Sequence, residues 1–83
     1  MKIQLRYFAS LREALGPGEA VDVPAGLTLG GLRDWLVARG GRHAEALARP
    51  RALRCAQNQT MSDEAARVEE GAEIAFFPPV TGG

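Results

Sequence analysis

The two ends of this chain carry the same short pattern, and that pattern limits the folds open to it. In residues 2–8 the apolar Ile3, Leu5 and Tyr7 alternate with Lys2, Gln4, Arg6 and Phe8, and in 73–77 Ile74 and Phe76 alternate with Ala75 and Phe77. A period of two sends successive side chains to opposite faces, so each segment predicts a strand with one buried face. With 83 residues in all, the chain buries only about 60% of its unfolded surface and supports one thin core. If the first and last strands are placed as parallel neighbours at the centre of one sheet, Ile3, Leu5, Ile74 and Phe76 share its apolar face.

The segment between them supplies a cover. Leu29, Leu32 and Leu36 recur at helical spacing with Trp35 beside them, which predicts a helix from an N-cap at Thr28 to about Arg39. Gly30 and Gly31 weaken its first turn by about 1 kcal/mol each relative to Ala, so tertiary packing must hold it. A shorter helix is expected over 11–15, capped by Ser10 and ended by Gly16, with a strand over 19–23 after the Pro17-Gly18 turn. Beyond the Gly40-Gly41 stop, a helical segment over 43–48, a strand over 52–57, a polar turn at 57–59 and a strand over 60–62 complete the pattern. One long helix over a mixed sheet of about five strands is an α+β arrangement, the β-grasp. The expected organisation is one β-grasp domain over 1–77, then a tail, 78–83.

Ten Lys plus Arg balance ten Asp plus Glu, and a chain without basic excess lacks the footprint of a nucleic-acid binder. Residues 1–54 carry nine basic and five acidic groups, residues 55–83 one basic and five acidic. Either the two ends attract each other or merely solvate, or an acidic rim near the C-terminus meets a basic partner. The single cysteine, Cys55, excludes an internal disulfide, and no apolar run approaches the length of a signal peptide or a membrane span. A cytoplasmic protein without membrane attachment is the expectation.

A conventional active site is hard to find. His43 is the lone histidine and reads as a solvated helix residue, and no cluster at metal-ligand spacing accompanies it. Cys55 reads as a small buried hydrophobe, and Ser10 and Ser62 lie outside any nucleophile-elbow context. The glycine pairs lack the strand and lysine of a phosphate loop, and Asp63-Glu64 and Glu69-Glu70 read as solvated turns.

The C-terminus offers more. Pro78-Pro79-Val80-Thr81 favours an extended arm, and the six residues after Phe77 reach about 20 Å. Gly82 and Gly83, without Cβ atoms, can thread a channel too narrow for other residues. The reactive group is then the α-carboxylate of Gly83, a poor electrophile until a partner enzyme adenylates it. Phe8 and Phe77 fall on the non-core side at the same end of parallel neighbours, and with Pro78, Pro79 and Val80 they form a patch suited to docking a protein. The plainer alternatives are a frayed end and a second small core beneath the 11–15 helix.

The ending AFFPPVTGG, the opening RYFASLRE and the NQT turn resemble the small subunits of molybdopterin synthase, a family of ubiquitin-like sulfur carriers, over Lys2–Gly83. The resemblance implies that Gly83 is adenylated by an activating enzyme like those of ubiquitin pathways, which uses ATP and Mg²⁺. A sulfur-donor enzyme then makes the thiocarboxylate. The tail enters the large synthase subunit and passes sulfur to a cyclic pyranopterin monophosphate. Gly82 and Gly83 match the modified end, Phe8 and Phe77 the interface aromatics, and Pro78, Pro79, Val80 and Thr81 the docking arm. No tightly bound cofactor or metal is implied, catalytic side chains belong to the partner, and two small and two large subunits form a heterotetramer. Gly30-Gly31 and the arginines of 49–54 depart from the family pattern. Thiamine or tRNA thiolation, conjugation to protein lysines and an inert interaction module are the alternatives.

Overall fold

The computed structural model describes residues 1–79. Its elements are β1 (Lys2–Tyr7), α1 (Ser10–Leu15), β2 (Gly18–Asp22), α2 (Leu29–Val37), α3 (Gly41–Ala46), β3 (Arg54–Gln57), β4 (Thr60–Ser62) and β5 (Glu73–Phe77). They form one sheet in the order β2-β1-β5-β3-β4. The two terminal strands are parallel neighbours at its centre, with Leu5 opposite Ile74 and Tyr7 opposite Phe76, and the other three pairings are antiparallel. This is the expected β-grasp.

The core forms where the alternation points. Ile3, Leu5, Tyr7, Ile74 and Phe76 are buried on one face of the sheet, in one cluster with Leu29, Leu32 and Leu36 of α2. Leu11, Leu47 and Val68 extend that cluster, while Trp35 is half-buried beneath the Arg39 guanidinium, 5.9 Å from the ring centre.

Thr28 caps α2 as expected, its hydroxyl accepting from Gly31 N at 3.0 Å. The 63–66 segment then packs against this first turn: Leu29 N donates to Ala66 O at 2.8 Å and Gly30 N to Glu64 O at 2.9 Å. A Cβ on Gly30 would stand 2.9 Å from Glu64 Oε1. The glycine that weakens the helix is therefore what lets the 63–66 segment satisfy its free amides.

Several boundaries differ from the sequence expectation. Ser10 is the first residue of α1 and caps nothing; Ala9 precedes the helix at φ 54° without a side-chain cap bond. α2 ends at Val37, two residues early, where the chain tightens through Arg39 N to Leu36 O and Gly40 N to Val37 O. Gly40, at φ 78°, directly precedes α3, which starts two residues earlier than expected. β3 starts at Arg54 rather than Ala52 because the preceding backbone turns toward a buried arginine. Arg33, only 3% exposed, donates to the carbonyls of Leu47, Ala48 and Arg51 at 2.8, 2.6 and 2.9 Å and to Glu64 at 3.1 Å.

That knot explains part of the arginine-rich stretch. Arg49 binds Asp34 and Gly30 O, each at 2.9 Å, as well as Glu64, and Arg51 donates to Glu45 O at 2.8 Å. Glu64 joins Arg33 and Arg49, and Glu73 pairs with Arg6 at 3.3 Å. These contacts realise the first reading of the divided charge, in which the two ends of the chain attract each other.

Candidate functional site: the outer sheet face and the tail base

The sheet face away from α2 is built by the residues that the alternation sends outward. Strand register fixes its rows. Phe8 continues β1 beside Phe77, which lies opposite Arg54 of β3. In the next row Arg6, Ala75, Ala56 and Met61 stand in successive strands. Phe8 and Phe77 meet edge to face, with ring centres 6.4 Å apart at 82°. Phe8 is 45% and Met61 59% exposed, and among the described residues they are the large apolar side chains left open to solvent. The small Ala56 and Ala75 between them leave a shallow apolar surface, with Arg54 at its edge. Pro78 and Pro79 follow Phe77 directly and are half-buried.

The structure thus brings Phe8, Phe77, Pro78 and Pro79 together, as the sequence led us to expect. Phe8 takes no part in a second core; Leu11 fills that place beneath α1. Val80, Thr81, Gly82 and Gly83 lie outside the described residues.

Sequence reading missed Met61 and Arg54 on this face, although a countable signal existed. Asn58 and Gln59 both have positive φ, 51° and 68°, as the two-residue hairpin turn requires. That turn sets Gln57 against Thr60 and therefore Ala56 against Met61. Asn58 also anchors the hairpin to β5: its N donates to Glu73 O at 2.8 Å and its Oδ1 accepts from Glu73 N at 3.0 Å. The NQT turn thereby fixes where β4 displays Met61.

The titratable groups elsewhere act as struts. His43 is not a solvated residue. Its Nε2 lies 3.0 Å from Glu19 Oε2, and its ring stands edge-on to buried Tyr7 at 6.5 Å. Tyr7 donates to the same oxygen at 3.3 Å, and Arg39 donates to Glu19 Oε1 at 2.9 Å. Burial and the Glu19 charge push the Tyr7 hydroxyl well above its ordinary value. Burial opposes ionisation of Glu19, but the bonds from His43 and Arg39 outweigh it and hold the carboxyl low. Cys55 is buried and donates to Ser62 O at 3.3 Å; burial, then the charges of Glu64 and Asp63, raise its thiol, consistent with a small hydrophobe.

Among the described residues no group of three or more His, Cys, Asp or Glu side chains could hold a metal ion. A groove of about 380 Å³ between α1 and α3 is lined by neither histidine nor cysteine. Among the same residues, no helix is long and apolar enough to cross a membrane. What the described residues present is an apolar face where β5 leads into Pro78-Pro79.

Comparison with known proteins bears on the family and the fold. The model of the ThiS family matches residues 5–83. The molybdopterin synthase sulfur carrier subunit of Escherichia coli K12 is 40% identical over 82 residues, which is 98% of this chain and 99% of that protein. The crystal structure of small archaeal modifier protein 1 from Haloferax volcanii superposes with a TM-score of 0.76 at 27% identity, covering 95% of this chain and 98% of that one. A protein–protein complex of subunits 1 and 2 of molybdopterin-converting factor from Helicobacter pylori contains a chain of the same fold, with a TM-score of 0.68 at 23% identity and full coverage of both chains.

Proposed function

This chain belongs to the ThiS family, and from that premise we propose that it is the sulfur carrier subunit of a molybdopterin synthase. One observation carries the reading: the aromatic pair Phe8 and Phe77 sits where β5 hands over to Pro78-Pro79, in a chain aligned along 98% of its length with such a carrier. The apolar face docks a larger subunit, and the arm then delivers Gly82 and Gly83 into that subunit's pocket.

The chemistry needs little from this chain. An adenylating enzyme uses ATP and Mg²⁺ to convert the Gly83 carboxylate to an acyl-adenylate with release of pyrophosphate. Sulfide-level sulfur from a donor enzyme attacks the acyl carbon, the C–S bond forming as the C–O bond to AMP breaks, and leaves a thiocarboxylate. In the large subunit the thiocarboxylate surrenders its sulfur to cyclic pyranopterin monophosphate. Pro78, Pro79, Val80 and Thr81 serve as the docking arm that delivers the end, and the groups that bind the pterin belong to the partner. The carrier is a non-catalytic subunit of a cytoplasmic heterotetramer with two large subunits. The likeness to a chain of the Helicobacter pylori complex of subunits 1 and 2 supports the pairing.

Intact-mass measurement tests this directly. With activating enzyme, ATP, Mg²⁺ and a sulfur source, one terminal oxygen is replaced by sulfur, and deletion of Gly83 abolishes the change while the fold remains. Pyrophosphate release without sulfur incorporation points to a second reading favoured by the likeness to a protein modifier. That reading predicts Gly83 in amide linkage to lysines of cellular proteins. No pyrophosphate release with a competent enzyme overturns both.

A further inference from the structure

The cations of this chain are unevenly chosen. Nine of its ten basic side chains are arginine, and the one lysine is Lys2. Lys2 is exposed at the foot of β1, level with Gly71, whose N donates to Lys2 O at 2.9 Å. Gly71 precedes Phe77 by six residues, which places Lys2 about 20 Å down the sheet from the root of the tail. The Met1 amine lies at the same far end, bound to Asp22 at 2.9 Å and to Val23 O at 2.8 Å.

The root of the tail is not short of positive charge. Arg54 lies opposite Phe77 and Arg6 opposite Ala75. Arg6 pairs with Glu73, whereas Arg54 has no carboxylate partner among the described residues. Every cation that the register places there is a guanidinium. The chemical difference between the two cation types is nucleophilicity. A lysine ammonium, with an ordinary pKa of about 10.4, is in equilibrium with a small fraction of nucleophilic free amine, whereas a guanidinium stays protonated throughout the working pH range.

We infer that the tail's surroundings are kept free of amines so that an activated C-terminus is not consumed by its own chain. The inference rests on the carrier reading, because only an activated Gly83 is at risk. A lysine at the tail root would attack the acyl carbon of the adenylate: the C–N bond forms, the C–O bond to AMP breaks, and the amine proton passes to water. The product is an internal amide, a dead end for sulfur transfer. Held within one short loop of the carbonyl, such an amine has a large effective concentration. Lys2 reaches Gly83 only if the tail doubles back fully extended along the whole sheet, since six residues span about 20 Å. Arginine at positions 6 and 54 retains the charge and removes the nucleophile.

The test uses the full chain released from an intein fusion as its Gly83 thioester with a small thiol, which needs no activating enzyme. Thioester lifetime at pH 8 is followed by intact mass for wild type, Lys2→Arg, Arg54→Ala, Arg54→Lys and Arg6→Lys. Wild type, Lys2→Arg and Arg54→Ala decay alike, by hydrolysis. At least one of the two new lysine variants decays more than tenfold faster, to a product one water lighter than the free acid, with Gly83 mapped to the substituted position. Decay of both at the wild-type rate overturns the inference, as does an internal amide to Lys2 in wild type. Failure of the activating enzyme to release pyrophosphate with wild type is a separate result; it defeats the carrier reading while thioester decay still reports on amine placement.

Discussion

Met61 gives the sharpest test of the docking face, because no sequence motif points to it and its place follows from strand register alone. It is 59% exposed on β4, which leaves roughly 110 Å² open, worth about 2.8 kcal/mol when a partner covers it at about 25 cal/mol per Å². Truncation to alanine keeps the Cβ and forfeits about half of that area, so Met61→Ala weakens the complex with the synthase large subunit about tenfold. Met61→Asp loses all the apolar area and adds a carboxylate to desolvate, so it costs about 100-fold or more. Neither change removes a core contact, and stability stays within about 0.5 kcal/mol of wild type. Titration calorimetry with the purified large subunit reads the affinity, and thermal denaturation reads the fold. A folded Met61→Asp chain that binds within threefold of wild type refutes the assignment of this face, register and all.

Three further outcomes follow from the arginine knot and the helix that it braces. Arg33→Met strands the carbonyls of Leu47, Ala48 and Arg51 and costs about 3 kcal/mol in denaturant unfolding; an unchanged midpoint would show that water satisfies them equally well. Gly30→Ala, a gain of up to about 1 kcal/mol by helix propensity, destabilises instead, because its Cβ displaces Glu64 from beneath Arg33 and Arg49; a higher melting temperature contradicts the packing. Bonds from Arg49, helped by Arg33 and opposed by partial burial, hold the Glu64 carboxyl below its ordinary 4.5. Its contribution is therefore present above about pH 4.5 and lost as pH falls through the lower folded value. Between about pH 5 and 3 the melting temperature of Glu64→Gln falls less steeply than that of wild type, and parallel curves would remove Glu64 from the account.

The strands and the helix stripe were legible because period-two and helical spacing are local properties. Ile3, Leu5, Tyr7, Ile74 and Phe76 declare a buried face wherever they occur, whereas the parallel centre of the sheet was a supposition that the register bears out, with Leu5 opposite Ile74. The pairing of Phe8 with Phe77 could be read from the same supposition, since parallel neighbours end at the same edge. His43 and Arg33 could not be read in this way. His43 has no sequence neighbour that marks it, and only the approach of β2 to α3 brings Glu19 within 3.0 Å. Arg33 looks like a surface charge until the 47–51 backbone wraps its guanidinium.

By itself, then, the sequence determined the β-grasp body and its apolar seam, both encoded by residue type and spacing along the chain. Tertiary structure decided which charges became struts and which stayed free. It buried Arg33 against Glu64, tied the exposed Arg49 to the same carboxylate, and left Arg54 beside Phe77 on the outer face. It also decided that Met61 joins the aromatics, because the Asn58-Gln59 turn sets the register and a shift of one residue would send that side chain to the other face.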